Sequence, residues 1–103
     1  MEIYWVISLV PAEGKGAAAK EALLRLVQHV NAKYSQYTHA EILGSMDGAD
    51  ALHYVARTKS LAAHEESLYK VWAADPKSKA WDEESRELFI ATKTQTHFYQ
   101  VLT

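Results

Sequence analysis

The 103-residue sequence contains no cysteine, only two prolines and only four glycines. Without cysteine, the chain has no disulfide, no thiol nucleophile and no cysteine-ligated zinc or iron–sulfur centre. This composition is consistent with a reducing compartment, and we expect a cytoplasmic protein. The first apolar run lacks a basic leader, and no apolar stretch reaches the roughly 18 residues that span a bilayer. We therefore expect neither a targeting signal nor a membrane partner.

A surplus of basic charge is also missing, since 11 Lys and Arg residues face 13 Asp and Glu residues. That balance disfavours a nucleic-acid partner. The segment Gly14-Lys15-Gly16 has neither the Walker nor the dinucleotide-binding spacing, and no serine nucleophile elbow is present. The five histidines show no H-x-H or H-x-x-x-H spacing. The sequence thus predicts no metal site and no cofactor.

What is present is typical of one folded domain covering residues 1–103, with 49% hydrophobic and 23% charged residues. The β-branched and aromatic residues of segments 2–10, 38–46, 50–57 and 92–102 predict four strands, with Asp47-Gly48 turning the middle pair. Helices are predicted over 15–34, over 61–73 after the N-cap Ser60, and from Asp75-Pro76 onward. The predicted inner faces are Ala19, Leu23, Leu26, Val27, Val30 and Tyr34 in the first helix, Leu61, Leu68, Val71 and Trp72 in the second, and Ala80, Trp81, Leu88 and Phe89 in the third.

The order β-α-β-β-α-α-β predicts an α+β ferredoxin-like subunit with a four-stranded antiparallel sheet. Right-handed crossovers place the helices on one face of such a sheet. The other face is then bare, although neither face of any predicted strand is fully polar. Because an exposed apolar patch of this kind usually marks an interface, we expect two subunits to pair sheet to sheet as a homodimer.

The chain resembles the dimeric α/β-barrel superfamily and, within it, small NIPSNAP-like proteins. The resemblance covers nearly the whole chain and is carried by the opening strand Glu2–Val10 with Pro11 and Gly14, by Ala51-Leu52-His53-Tyr54-Val55-Ala56-Arg57 leading to Ser60-Leu61-Ala62-Ala63, and by Ala74-Asp75-Pro76 with Ala80-Trp81. It implies ferredoxin-like subunits in a barrel-shaped dimer. The superfamily includes cofactor-independent monooxygenases, isomerases and haem-degrading enzymes. The haem-degrading pattern is incomplete here, because Trp72 and His64 have no accompanying asparagine in the first strand.

His64 is the candidate catalytic residue, because it lies near the apolar face of the second helix, where a neutral imidazole can act as a base. The alternative is a boundary histidine that is hydrogen-bonded to backbone or water. A ligand pocket between helices and sheet is predicted to use Tyr4, His53, Tyr54, Trp72 and Tyr99. Since both faces of the strands are apolar, the sequence does not decide which set of strand residues faces the helices.

The remaining polar candidates have simpler interpretations. His53 and His97 are predicted on strands that could be neighbours in the sheet, and Arg57 at a strand end is a surface ion-pair partner. His39 and Glu41 are expected at a solvated edge. In the third helix, the i,i+4 spacing predicts the ion pairs Lys79–Glu83 and Asp82–Arg86.

These observations support three functions. The first is a protein that binds or transforms a small organic molecule in the pocket. The second is a cofactor-independent monooxygenase of the antibiotic-biosynthesis type. The third is a non-catalytic dimeric binding module, which a filled core and exposed histidines would favour.

Overall fold

The computed structural model of the chain describes all 103 residues and has the predicted order of elements. The four strands form one antiparallel sheet in the order β2-β3-β1-β4, which confirms the ferredoxin-like α+β architecture. No helix has the length and apolar character that crossing a membrane requires. The elements are β1 (Ile3–Leu9), α1 (Gly16–Lys33), β2 (Thr38–Gly44), β3 (Leu52–Thr58), α2 (Leu61–Glu66), a π-helical segment (Ser67–Trp72), α3 (Pro76–Leu88), a 3₁₀ turn (Ala91–Lys93) and β4 (Gln95–Gln100).

The second helix differs from its prediction. Its α-helical part ends at Glu66, and the π-helical segment continues it to Trp72. A π turn holds more residues than an α turn, so the positions before and after it no longer share one face. Leu61, expected on the inner face with Trp72, is accordingly 54% exposed. The final strand is also shorter than predicted, because the 3₁₀ turn occupies residues 91–93.

The two prolines and one of the glycines lie at the turns and element ends where the sequence predicts them. Asp75 is the N-cap of α3 and Pro76 is its first residue. Gly48 lies between β2 and β3 with a φ of 86°, a backbone conformation that costs glycine little. Pro11 forms an isolated antiparallel bridge with Phe89 directly after β1.

Strand β1 lies between β3 and β4, and its alternating side chains define the two faces of the sheet. Trp5, Ile7 and Leu9 point toward the helices and pack against the buried core. The predicted inner face of α1 is confirmed, since all of its members are buried except Val27, which is half-buried. The core consists of Ala19, Leu23, Leu26, Val30, Tyr34, Ala40, Tyr54, Ala56 and Phe89.

The surface ion pairs correct one prediction and confirm another. Lys79–Glu83 and Asp82–Arg86 are not formed in α3, and Glu84 instead pairs with Arg25 of α1 at 3.0 Å. Arg57 forms the expected surface ion pair, with Glu2. His39 and Glu41 are exposed on the edge strand β2.

The Asp75 side chain joins α1 to the start of α3 and is only 3% exposed. Both of its carboxylate oxygens have hydrogen-bond partners. Its Oδ1 accepts the Lys77 backbone N–H at 2.9 Å. Its Oδ2 accepts the Tyr34 hydroxyl at 2.5 Å and lies 2.6 Å from His29 Nε2. Burial raises the pKa of the Asp75 carboxyl, but the hydrogen bonds from Tyr34, His29 and Lys77 outweigh it and hold that pKa well below its usual range.

We expect Asp75→Asn to lower the free energy of unfolding at pH 7 by about 1–3 kcal/mol, because the charged hydrogen bonds are lost. A carboxyl with a depressed folded-state pKa stabilises the fold above its unfolded pKa and stops doing so as the pH falls through the folded value. The difference between wild type and variant should therefore shrink below about pH 4. Urea unfolding at pH 7 and pH 3 measures it, with Asp82→Asn on the exposed side of α3 as control. A difference in the free energy of unfolding that is as large at pH 3 as at pH 7 would contradict this account.

Candidate functional site

A cavity of about 390 Å³ lies between the helices and the helix-facing side of the sheet. Its volume falls within the range of small-molecule pockets, about 300–1,000 Å³. Most of its lining is apolar and aromatic. It is lined by Trp5, Ile7 and Leu9 of β1, Leu23, Leu26, Val30 and Tyr34 of α1, Thr38 of β2, Tyr54 and Ala56 of β3, His64, Ser67, Leu68 and Trp72 of the second helix, Trp81, Ser85, Arg86 and Phe89 of and after α3, and Ala91, Thr94 and Thr96 before and in β4.

Small side chains at the middle of the sheet leave room for this cavity. Ala56 of β3 pairs with Ala40 of β2 on one side and with Trp5 of β1 on the other. Both alanines are buried and face the helices. A larger residue at position 56 would occupy the floor that the structure leaves open.

His64 lies in the wall of the cavity and is only 5% exposed. Its ring centroid is 4.7 Å from that of Trp5 and 5.4 Å from that of Phe98, with its plane steeply inclined to both rings. Burial lowers the pKa of this imidazole below 6.5, so the ring is neutral at pH 7. A neutral imidazole offers one N–H donor and one nitrogen acceptor.

Tyr54 supplies a second polar group, because its hydroxyl belongs to a buried residue of the cavity wall. Burial raises the pKa of this phenol, so it stays protonated. Neither the Tyr54 hydroxyl nor the His64 ring hydrogen-bonds to another protein group, whereas every fully enclosed side-chain nitrogen or oxygen has a partner. The unpaired polar atoms of His64 and Tyr54 are therefore not fully enclosed, and both residues line the cavity.

The structure brings together three of the predicted site residues and separates three others. His64, Tyr54 and Trp72 line the cavity. Tyr4, His53 and Tyr99 lie on the opposite face of the sheet, because successive strand residues alternate between faces. The expectation that they share one pocket with His64 is corrected accordingly.

Tyr4, His53 and Tyr99 have neighbours outside the cavity or are exposed. The Arg57 guanidinium lies 5.5 Å from the centre of the Tyr4 ring. His53 Nδ1 is 2.8 Å from the Ser8 hydroxyl, and Tyr99 is 55% exposed. His53 and His97 are not on neighbouring strands, since β1 lies between β3 and β4.

Sequence reasoning missed two residues of the site. Trp5 is not among the predicted pocket residues, but its indole forms the wall against which His64 lies. Arg86 was expected to pair with Asp82, yet it lines the cavity and forms no ion pair. Arg86 directly follows Ser85, which lies four residues after Trp81 on the inner stripe of α3, and this position is the signal that could have indicated it. No cluster of three or more histidine, aspartate or glutamate side chains that could hold a metal ion is formed.

We expect the His64 imidazole to titrate below pH 6.5, as followed by its C2–H resonance in NMR, with His64→Gln identifying the signal. The unfolded chain binds this proton more readily than the folded one, so the free energy of unfolding should fall as the pH drops below about 6.5. The slope from this one group is at most about 1.4 kcal/mol per pH unit and should be absent in His64→Gln. A His64 resonance that titrates above pH 6.5 would refute the burial argument.

No protein-family model matches the chain, and no curated protein matches its sequence. Solved structures do match. SnoaB from Streptomyces nogalater, a cofactor-independent oxygenase solved as its N63A mutant, is 15% identical over 99% of this chain and 94% of its own, with a TM-score of 0.73. A Deinococcus radiodurans protein provisionally named an antibiotic biosynthesis monooxygenase is 11% identical over 96% of this chain and 91% of its own, with a TM-score of 0.74.

A third structure is a dimeric protein of unknown function and ferredoxin-like fold from Bacteroides fragilis. It is 12% identical over 97% of this chain and 96% of its own, with a TM-score of 0.70. At these identities the likeness concerns the fold, and the narrower resemblance to NIPSNAP-like proteins stays a prediction. The chain therefore has a ferredoxin-like fold, as does the Bacteroides fragilis protein.

Proposed function

We propose that this protein binds a small, flat, largely apolar organic molecule in the cavity between its helices and sheet. The observation that carries the proposal is an aromatic-lined cavity in which two polar groups, the His64 imidazole and the Tyr54 hydroxyl, have no protein partner. Pockets for small organic ligands combine a mostly apolar lining with a few such polar groups. Placement among NIPSNAP-like proteins is part of the proposal and is supported by the sequence resemblance alone.

The energetics favour a ligand that matches both features. A polar group that loses its hydrogen-bond partner in a buried site costs about 1–3 kcal/mol, so a ligand hydroxyl or carbonyl between His64 and Tyr54 is preferred over a hydrocarbon. Aromatic walls such as Trp5 and Trp72 gain most from a flat ring system, because offset and edge-to-face ring contacts add to the area that is buried.

A cofactor-independent monooxygenase is the second candidate function. His64 is a neutral base among aromatic rings, and the fold is similar to that of SnoaB, described as a cofactor-independent oxygenase. In such a reaction His64 would take a proton from the activated CH₂ group of the keto tautomer of a polycyclic phenol. The resulting anion would give electrons to O₂, so that CH₂ and O₂ become C=O and H₂O. A non-catalytic binding module would show the same binding without turnover.

We expect 2-naphthol to bind and to quench tryptophan fluorescence, since Trp5, Trp72 and Trp81 all line the cavity. Ala56→Leu, which fills the cavity floor, should weaken binding at least about tenfold, because the ligand loses buried contact area. Ala18→Leu on the exposed side of α1 is the matched control. Tyr54→Phe should weaken 2-naphthol binding about fivefold or more and leave naphthalene binding unchanged. Equal binding to wild type and Ala56→Leu would place the ligand elsewhere.

Oxygen uptake in the same experiment separates the functions. Consumption of O₂ with a polycyclic phenol, without added metal or flavin, and its loss in His64→Gln with binding retained, would support the monooxygenase. Binding without oxygen uptake across a set of such phenols would count against it and favour the binding module.

We also propose that two copies of the chain pair through the sheet face that no helix covers. That face carries Tyr4, Val6 and Tyr99, and one protein of the same fold is described as dimeric. Burial of these apolar and aromatic side chains against a second copy would remove them from water. The expected partner is thus the protein itself.

Val6 lies at the middle of this face, opposite Val55 on one side and His97 on the other. We expect wild type to sediment as a dimer at micromolar concentration and Val6→Lys to sediment as a monomer, because an unpaired charge at a buried interface is costly. Leu24→Lys on the exposed outer side of α1 is the matched control and should stay dimeric. A monomeric wild type would refute this pairing.

A further inference from the structure

Arg86 gives the cavity a charge, and this suggests which ligands it selects. Among the lining residues there is no aspartate, glutamate or lysine, and His64 is neutral at pH 7. Arg86 is therefore the one full charge in the lining. Its guanidinium forms no ion pair, although Asp82 and Glu83 lie one helical turn before it.

The backbone fixes the end of the cavity to which Arg86 belongs. Directly after α3, Phe89 bridges Pro11, and the Ala12 N–H donates to the Leu88 carbonyl at 2.8 Å. The last turn of α3, which holds Arg86, is thereby held beside the carboxyl end of β1. Side-chain hydroxyls of Ser85, Thr94 and Thr96 belong to the same cavity lining.

His64 lies beside a different part of β1 from Arg86. Its ring lies against Trp5, four residues before Leu9 at the end of the strand. Four strand residues span about 13 Å. Between these two levels the lining that β1 and β3 supply is Ile7 and the Tyr54 ring. The cavity thus has a neutral polar group at one level, an apolar middle, and a cation at the other end.

We infer that the ligand is an elongated aromatic carboxylate, with its carboxylate on Arg86 and a hydroxyl or carbonyl at His64 and Tyr54. This inference rests on the proposed function and names its ligand class. A guanidinium matches a carboxylate with two parallel N–H···O bonds, which gives direction as well as charge. The apolar middle requires that the two polar ends be separated by fused or linked rings.

The test compares 6-hydroxy-2-naphthoate with 2-naphthol, two ligands that share the ring system and the hydroxyl but differ by the carboxylate. Wild type should bind the carboxylate about fivefold more tightly, the gain expected of a solvent-accessible ion pair. The preference should disappear in Arg86→Gln, and Arg86→Lys should keep part of it. Lys79→Gln removes one positive charge from an exposed position of the same helix and should keep all of it.

Salt provides a second readout, because ions screen exposed charges. The preference for the carboxylate should fall as ionic strength rises from 0.01 to 1 M, while 2-naphthol binding should not weaken. Equal binding of the two ligands to wild type, or a preference that survives in Arg86→Gln, would overturn the inference and leave the proposed function standing. Failure of both ligands to bind wild type would overturn the proposed function as well.

Discussion

The alternation of side chains along β1 is the constraint on which the rest of the structure depends. Because β1 pairs with strands on both sides, its orientation fixes the parity of β3 and β4 through the register. Trp5 and Ile7 then face the cavity, while Tyr4 and Val6 face away from it. The wall beside His64 and the uncovered sheet face are thus two sides of one strand. A one-residue shift of β1 would exchange its two sets of side chains, and both the wall beside His64 and the uncovered sheet face would be lost.

The sequence was sufficient for features that depend on local rules. The amphipathic face of α1, the start of α3 at Asp75-Pro76 and the turn at Gly48 were each predicted from residues within one element. Which strand residues face the helices was not predicted, because both faces of the strands are apolar and only packing against α1 distinguishes them. Arg86 was missed for a related reason. The i,i+4 spacing favours a pair with Asp82, and only the tertiary structure shows that Arg86 lines a cavity instead.

Two buried polar residues illustrate how structural and candidate functional groups differ. The carboxylate of Asp75 is fully used, by the backbone of Lys77, by Tyr34 and by His29, and it joins two helices. His64 is equally buried but makes no side-chain hydrogen bond to the protein, and its ring contacts are with aromatic rings. In a folded chain, buried polar groups are normally satisfied. A histidine that is left free beside a cavity is an exception, and a ligand would resolve it.

The π-helical segment Ser67–Trp72 has a consequence for how sequences of this fold can be aligned. A π turn amounts to one residue inserted into an α-helix, and each α-helical residue turns the chain by about 100°. Trp72 therefore reaches the cavity wall by a rotation that the preceding α-helix would not provide. A relative without the insertion would present a different side chain at this place, even if it kept a tryptophan at the corresponding distance from its third strand. In a sequence alignment of proteins with this fold, the position of a gap within this helix therefore decides which residues are matched at the cavity wall.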